Sequence, residues 1–311
     1  MARAKFDPPD QPDRHPAAPD WIRRAGPSRS AEEAAFYAGA SLAVLASPAR
    51  DVHPIGELWR ERLAIECAAN VVGLIGRRET VADLRDAWLL RSPGADPGPA
   101  GRVFGVWRGL GQAKLSAPFT CVEELAELET GLSRRELQEM IDLAMKRPDQ
   151  NASPVAAATE VAVRTLQRFP LGLLPAAWLA DLVLAEELRW KAPIPLLASR
   201  MTRRMVKEMS AGSPESVRLL ANDAYREAAV RAVDLNGELC RKARSLIEIS
   251  PNLRSKGADR VVRRLLSEDA LSARSTAPLN ERSARRLFER LSDLGAIREL
   301  TGRPTFRLYG L

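Results

Sequence analysis

Between Ser30 and Ser250 the apolar residues return every three or four positions, the spacing that gathers them on one face of an α-helix. The pattern predicts helices near 30–47, 55–76, 79–91, 101–111, 121–130, 134–147, 154–168, 175–191 and 195–210. Their starts are marked chemically. Thr120 with Glu123 and Ser133 with Glu136 have capping-box spacing, in which each side chain satisfies a backbone N–H that the first turn leaves unpaired. Ser153-Pro154 and Ser213-Pro214 place a capping hydroxyl before a proline, whose missing N–H costs nothing at the first helical position. The longest pattern runs from Pro214 towards Ser250, with Val217, Ala221, Ala224, Ala228, Ala232, Leu235, Leu239, Ala243 and Leu246 stepping by three or four. That step is nearer the ~3.6 of a straight helix than the ~3.5 of a left-handed coiled coil. Its alanines let neighbours approach closely, so the expectation is a central bundle helix rather than a dimerising coil.

Pro251 ends this helix, and "PNLRSKGA" (251–258) reads as a basic linker. A second pattern follows. Val261, Val262, Leu265 and Leu266 give a short helix its inner face, and "EDALSAR" has room for a second brief one. Asn280 is placed to cap a third over 281–294, with Ala284, Leu287, Phe288, Leu291 and Leu294 inward. Gly295 then sits where a left-handed C′ residue stops a helix. "AIREL", "TGRP" and "TFRLYG" read as strand, turn and strand, with Phe306 and Leu308 on one side and Thr305, Arg307 and Tyr309 on the other. Three helices closed by a hairpin make a winged helix-turn-helix.

The fold class expected is therefore mainly α: a multi-helix bundle, then a C-terminal winged helix-turn-helix with a small β-hairpin. Residues 1–29 carry six prolines among Asp and Arg and read as a disordered leader. The helical domain is expected at 30–250, the linker at 251–258 and the winged helix at 259–311. A chain of 311 residues with 45% hydrophobic content can supply a core for each of two domains. The apolar runs at 34–47 and 169–185 read as buried helices, the first too short for a membrane span and the second interrupted by Pro170, Pro175 and Asp181. A soluble, cytoplasmic protein with no membrane partner is expected.

Charge changes the picture at one end. The formal net charge is +7, and residues 254–311 hold 13 basic against 7 acidic residues, so nearly all the excess lies there. The outer face of the 281–294 helix presents Arg282, Arg285, Arg286 and Arg290 with Glu289 and Asp293, and the wing adds Arg298, Arg303 and Arg307. Arginines on such a helix can meet guanine edges or phosphates in a major groove, and those on the wing can meet the adjacent backbone. Arg282, Arg285, Arg286, Arg290, Arg303 and Arg307 are thus candidate contacts to double-stranded DNA, with the helical domain sensing or docking a partner. The alternative stays open: a protein-interaction module whose winged helix is structural, its arginines paired to carboxylates four residues away.

No catalytic constellation is recognised, so no enzymatic activity, cofactor or metal is expected. Cys67, Cys121 and Cys240 lie far apart, without CxxC spacing, and read as reduced thiols. Of the two histidines, His53 precedes Pro54 as helix-start punctuation. The glycines of "RSPGADPGPAGR" (91–102) match no phosphate-binding pattern, and Pro97 and Pro99 remove N–H donors, so a rigid turn is expected there. The tryptophans Trp59, Trp88, Trp107, Trp178 and Trp190 read as core.

"LRDAWLLRSPGADPGPAGR" (84–102) and "ARRLFERLSDLGAIRELTGRPTFRLYGL" (284–311) resemble two stretches of an uncharacterised bacterial family, domain of unknown function 1403. The resemblance extends over 30–311 and implies a bacterial cytoplasmic protein; it implies no activity. "GAIRELTGR" is also similar to the winged-helix tail of Fic-type AMP-transferring enzymes. Those enzymes carry a His-Pro-Phe motif with a glycine-rich anion loop. Here His53-Pro54-Ile55 is followed by "GELWR", so only the wing is shared.

Overall fold

Steps of three and four along 217–246 bury one flank of a helix, and the structure around that flank is a bundle. The structure, a computed structural model, describes residues 16–51, 53–92, 94–112, 132–146, 152–253, 257–276, 279–301 and 305–311. Its helices are α1 (Asp20–Arg23), α2 (Ala31–Arg50), α3 (Gly56–Leu74), α4 (Val81–Leu89), α5 (Gly98–Gln112), α6 (Arg134–Met145), α7 (Pro154–Arg168), α8 (Leu173–Glu187), α9 (Arg203–Ala211), α10 (Pro214–Ile249), α11 (Ala258–Ser267) and α12 (Glu281–Asp293). The strands are β1 (Leu271–Ser272), β2 (Arg298–Glu299) and β3 (Leu308–Gly310).

All nine residues of the predicted α10 stripe are buried. Its principal neighbour is α2, which answers with Ala34, Ala38, Ser41, Leu42, Leu45 and Ala49. Small residues on both sides bring the backbones together. Helix α8 is buried from Leu173 to Ala185 on every face, as expected of a helix at the middle of a core. It packs on α7, while α3 packs on α5. Trp59, Trp107, Trp178 and Trp190 are buried; Trp88 lies at their edge, its ring T-shaped against Phe104. Among the described residues no helix is long and apolar enough to cross a membrane.

The helix starts follow the capping chemistry. Ser133–Glu136 forms its reciprocal box, and Ser153 and Ser213 accept from the N–H groups of Ala156 and Ser216. Thr80 forms a further box with Asp83. The helix expected at 121–130, with its Thr120–Glu123 box, lies outside the described residues. The single helix expected over 195–210 is instead a 3₁₀ turn, Leu197–Arg200, followed by α9. A buried carboxylate causes the break. Asp181 accepts the N–H of Leu196 at 2.7 Å and of Leu197 at 3.1 Å, and Asn70 donates to the carbonyls of Ala198 and Met201 at 2.6 and 2.8 Å.

Two further expectations are corrected. Residues 16–29 are not a disordered leader: α1 buries Ile22, and Ala18 is buried beside it. Arg23 donates to Asp234 at 2.7 Å, Ser28 to Asp223 at 2.7 Å, and Arg226 to the Ala25 carbonyl at 2.7 Å, so α10 supplies the polar partners that a proline-rich segment lacks internally. In "EDALSAR" there is no second α-helix. β1 is followed by a 3₁₀ turn, Ala273–Ser275, closed by reciprocal bonds between Ser272 and Ser275.

The three strands form one antiparallel sheet in the order β1-β3-β2. Leu271 is opposite Tyr309, and Glu299 faces Tyr309 from the other side. Tyr309 stacks on Phe288 of α12 at 4.6 Å between ring centroids, tying sheet to helix. The alternation expected over 305–310 fails because Phe306 has φ +56°, which turns the chain there and leaves Phe306 exposed while Leu308, Tyr309 and Gly310 are all buried. Leu294, expected inward, is exposed at the C-cap of α12, next to Gly295 at φ +68°.

Two outcomes follow from this packing. Ala228→Leu introduces three carbons where α10 has no room and should destabilise by about 1–3 kcal/mol in thermal unfolding. The second concerns Asp181, whose carboxyl is pushed up to about 7 by burial, against the opposing pull of the Leu196 and Leu197 N–H groups and of Tyr225. Between its unfolded value of about 4 and that figure the folded chain holds a proton that the unfolded chain has lost. The contribution of Asp181 to stability therefore falls as pH rises from about 4 to about 7 and is level above. The unfolding free energy of wild type relative to Asp181→Asn should decline across that window by up to about 1.4 kcal/mol per pH unit, as urea titrations at stepped pH would show.

Candidate nucleic-acid interface

The candidate face on α12 is positioned from beneath. Helix α3 carries Glu61 and Arg62 among Leu58, Trp59, Leu63 and Ile65, and all six are buried. Arg62 forms an ion pair with Asp269, which follows α11, and donates to the carbonyls of Asp269 and Leu311 at 2.9 and 3.2 Å. Arg85 of α4 meets the other Asp269 oxygen at 2.5 Å. Glu61 accepts the Asp269 N–H at 3.1 Å and pairs with Arg108 of α5 at 2.5 Å. Two helices of the bundle, α3 and α4, thus hold one residue of the C-terminal segment, and α5 holds Glu61 in turn. Burial pushes the Glu61 carboxyl up, with Arg108 opposing, and presses the Arg62 guanidinium down, with Asp269 opposing. Gly310 belongs to the same contact: a Cβ there would lie 2.5 Å from the Asp269 carbonyl oxygen, so only glycine lets β3 approach.

The segments expected as separate domains share a continuous apolar core as well, with α11 against both α3 and α10. The buried sides are Ala258, Val261, Val262, Leu265 and Leu266 of α11 and Ala284, Leu287, Phe288 and Leu291 of α12, the latter packed on the 273–275 turn and on Tyr309. The opposite face of α12 is open. Asn280 caps it by accepting the Ser283 N–H at 2.8 Å.

On that open face the arginines divide into two rows. Arg285 pairs with Glu281 four residues earlier, and Glu281 is also 3.6 Å from Arg274. Glu281, Arg285 and Glu289 therefore form a row in which acid alternates with base. Arg282, Arg286 and Arg290 form the neighbouring row, all exposed, and none of the three has an ion pair among the described residues. Successive members rise about 6 Å along the axis. An open depression on α12 is lined by Glu281, Arg282, Arg285, Arg286 and Glu289.

Of the residues expected on a wing, Arg307 is exposed and 3.6 Å from Glu299; Tyr309 and Glu299 raise its pKa and so hold its charge. Arg298 is exposed on β2. Arg303 lies outside the described residues. The sequence reading thus finds the α12 row but not Glu61, Arg62, Arg85 and Asp269, which hold the face in place. The available signal was charge on the apolar side of a helix, as in "LWRERLAI", where no alternation accounts for it.

Elsewhere the described cysteines are enclosed. Cys67 and Cys240 are buried free thiols, and burial pushes Cys240 up to about 11. Cys240 Sγ lies 3.9 Å from His53 Nε2 and 3.8 Å from Asn236 Oδ1. No group of three His, Cys, Asp or Glu residues among those described is arranged to hold a metal. Cys121 lies outside the described residues.

The chain belongs to the family described as Protein of unknown function (DUF1403), whose pattern matches residues 8–311. No curated protein matches it.

Removing the Asp269 carboxylate leaves Arg62 and Arg85 buried without a counter-charge. Asp269→Ala should cost about 3–5 kcal/mol in urea unfolding, and limited proteolysis at 250–258 should be faster in this variant than in wild type.

Proposed function

We propose, for this member of a family with no assigned activity, that the segment from residue 258 is a winged helix-turn-helix and that the protein is a cytoplasmic DNA-binding regulator without catalytic activity. The order helix, strand, turn, helix, hairpin and the strand order β1-β3-β2 support the first part; the 3₁₀ turn at 273–275 takes the place of the middle helix. One observation carries the second part: Arg282, Arg286 and Arg290 project their uncommitted charges at i, i+4 and i+8 from a helix whose other side is anchored. An exposed cation with no protein partner exchanges only water and counterions when it meets a phosphate, so its contact is not offset by a broken ion pair. Arg285 lacks that advantage. Arg282 and Arg286 lie in the N-terminal half, where a groove-bound helix approaches base edges, and Arg290 lies towards the backbone.

A different observation favours the alternative, a protein-interaction module with a structural winged helix. Trp21 and Phe36 are 50% and 63% exposed and pack with Tyr37, the three ring centroids 5.5–6.0 Å apart. Exposed aromatics clustered in this way suit a protein partner docking on the helical part, and the two readings are compatible.

Fluorescence anisotropy on a duplex selected from genomic fragments, and on a scrambled one, tests the assignment. Arg286→Ala should cost about 1–3 kcal/mol on the selected duplex and relax its preference. Arg290→Ala should weaken both duplexes equally and reduce the slope of log K against log salt by about 0.9. Arg285→Ala should do less than either, because its charge is already engaged by Glu281. Lack of preference for any duplex at physiological salt, with all three variants unchanged there, would overturn the DNA reading.

A further inference from the structure

Phe306 is an unfavourable residue for its position. It is 55% exposed and takes no part in the core. Its backbone sits at φ +56°, a region that glycine occupies freely and a bulky L residue avoids. The chain uses glycine at comparable angles elsewhere, as at Gly257 and Gly295. A strained backbone that presents a large apolar ring to water loses on both counts, and such strain is typically retained where the side chain has work to do in a complex.

Its neighbours indicate the work. The Arg274 guanidinium lies 4.9 Å from the Phe306 ring centroid, a cation–π contact. Arg274 is in turn 3.6 Å from Glu281, the first residue of α12. The ring is therefore fixed beside the N-terminal end of α12, one residue from the start of the Arg282–Arg286–Arg290 row. An aromatic at the edge of a basic face can stack on a base where two base pairs part, and pyrimidine–purine steps part most easily. Resting on the DNA reading, we propose that Phe306 is a wedge that enters a base step of the bound duplex, with Arg274 orienting the ring, and that it confers preference for a flexible TA or CA/TG step at that position.

The test uses the full chain and the selected duplex with 2-aminopurine placed in turn at each adenine, since this base brightens when unstacked. Wild type should raise emission at one step only, and replacing that step by a stiff A-tract should weaken binding. Phe306→Ala should abolish the rise and weaken binding roughly 5- to 150-fold, leaving the salt slope unchanged because no charge is lost. Phe306→Tyr should retain both. Phe306→Gly should unfold no earlier than wild type, having shed the strain, and still lose the emission rise, which separates the wedge from a folding role. Sequence-preferring binding by wild type with no brightened step, or with Phe306→Ala equal to wild type, overturns the wedge and leaves the DNA reading standing. No preferential binding by wild type overturns both.

Discussion

The Asp269 carboxylate between Arg62 and Arg85 is the contact on which the placement of everything after residue 258 depends. A buried ion cluster contributes little net stability, because desolvating each charge costs about what the pairing returns. Its effect is on geometry. Apolar surfaces such as that of α11 against α3 can slide by a residue at modest cost, whereas sliding Asp269 would strand two guanidiniums in the core. Arg62 also bonds the Leu311 carbonyl, so one side chain fixes both the strand leaving α11 and the end of β3. Between these two points the sheet needs only a few paired residues, which is why strands of two and three residues suffice.

The same anchoring determines which surface is left for a partner. Because α11 packs on the bundle and the inner side of α12 packs on the 273–275 turn and on Tyr309, the outer side of α12 and the turn at Phe306 remain exposed. Glu61 contributes although it never touches the C-terminal carboxylate: it takes the Asp269 N–H and is itself held by Arg108. A linker joining independently moving domains would present the arginines in many orientations. The cluster holds them in one, which on the DNA reading proposed above would lower the orientational cost of meeting a rigid duplex.

Periodic and local features were legible in the sequence. The α10 stripe, the serine caps, Asn280 and Gly295 are each decided within one or two helical turns, so pattern and capping chemistry were enough. The basic face of α12 was legible for the same reason. What could not be read was decided at long range. Charge in a helix normally signals solvent, and the apolar neighbours of Arg62 set it apart from Arg286 only weakly; its partner Asp269 lies more than two hundred residues later. Residues 16–29 looked disordered by composition because their partners, Asp223, Arg226 and Asp234, lie on α10. The split at Met201–Thr202 depends on a carboxylate in another helix, and the failed alternation at Phe306 on a dihedral angle no propensity would assign.

Net charge is a poor guide to the candidate interface for a related reason. The excess of basic residues over 254–311 counts Arg264, which is tied to Glu268 at 2.6 Å, alongside Arg285 and Arg307, which have partners of their own. Each paired arginine must give up a carboxylate before it can take a phosphate, and the released carboxylate then repels the polyanion. Arg282, Arg286 and Arg290 carry no such cost, yet the paired row beside them is not inert. Glu281 and Glu289 lie next to the free arginines and oppose any phosphate that is not aligned with the row. An all-arginine face would attract a polyanion in any register. A free row bordered by a paired one attracts it along a single line, and the physical content of the α12 surface lies in that arrangement rather than in its total charge.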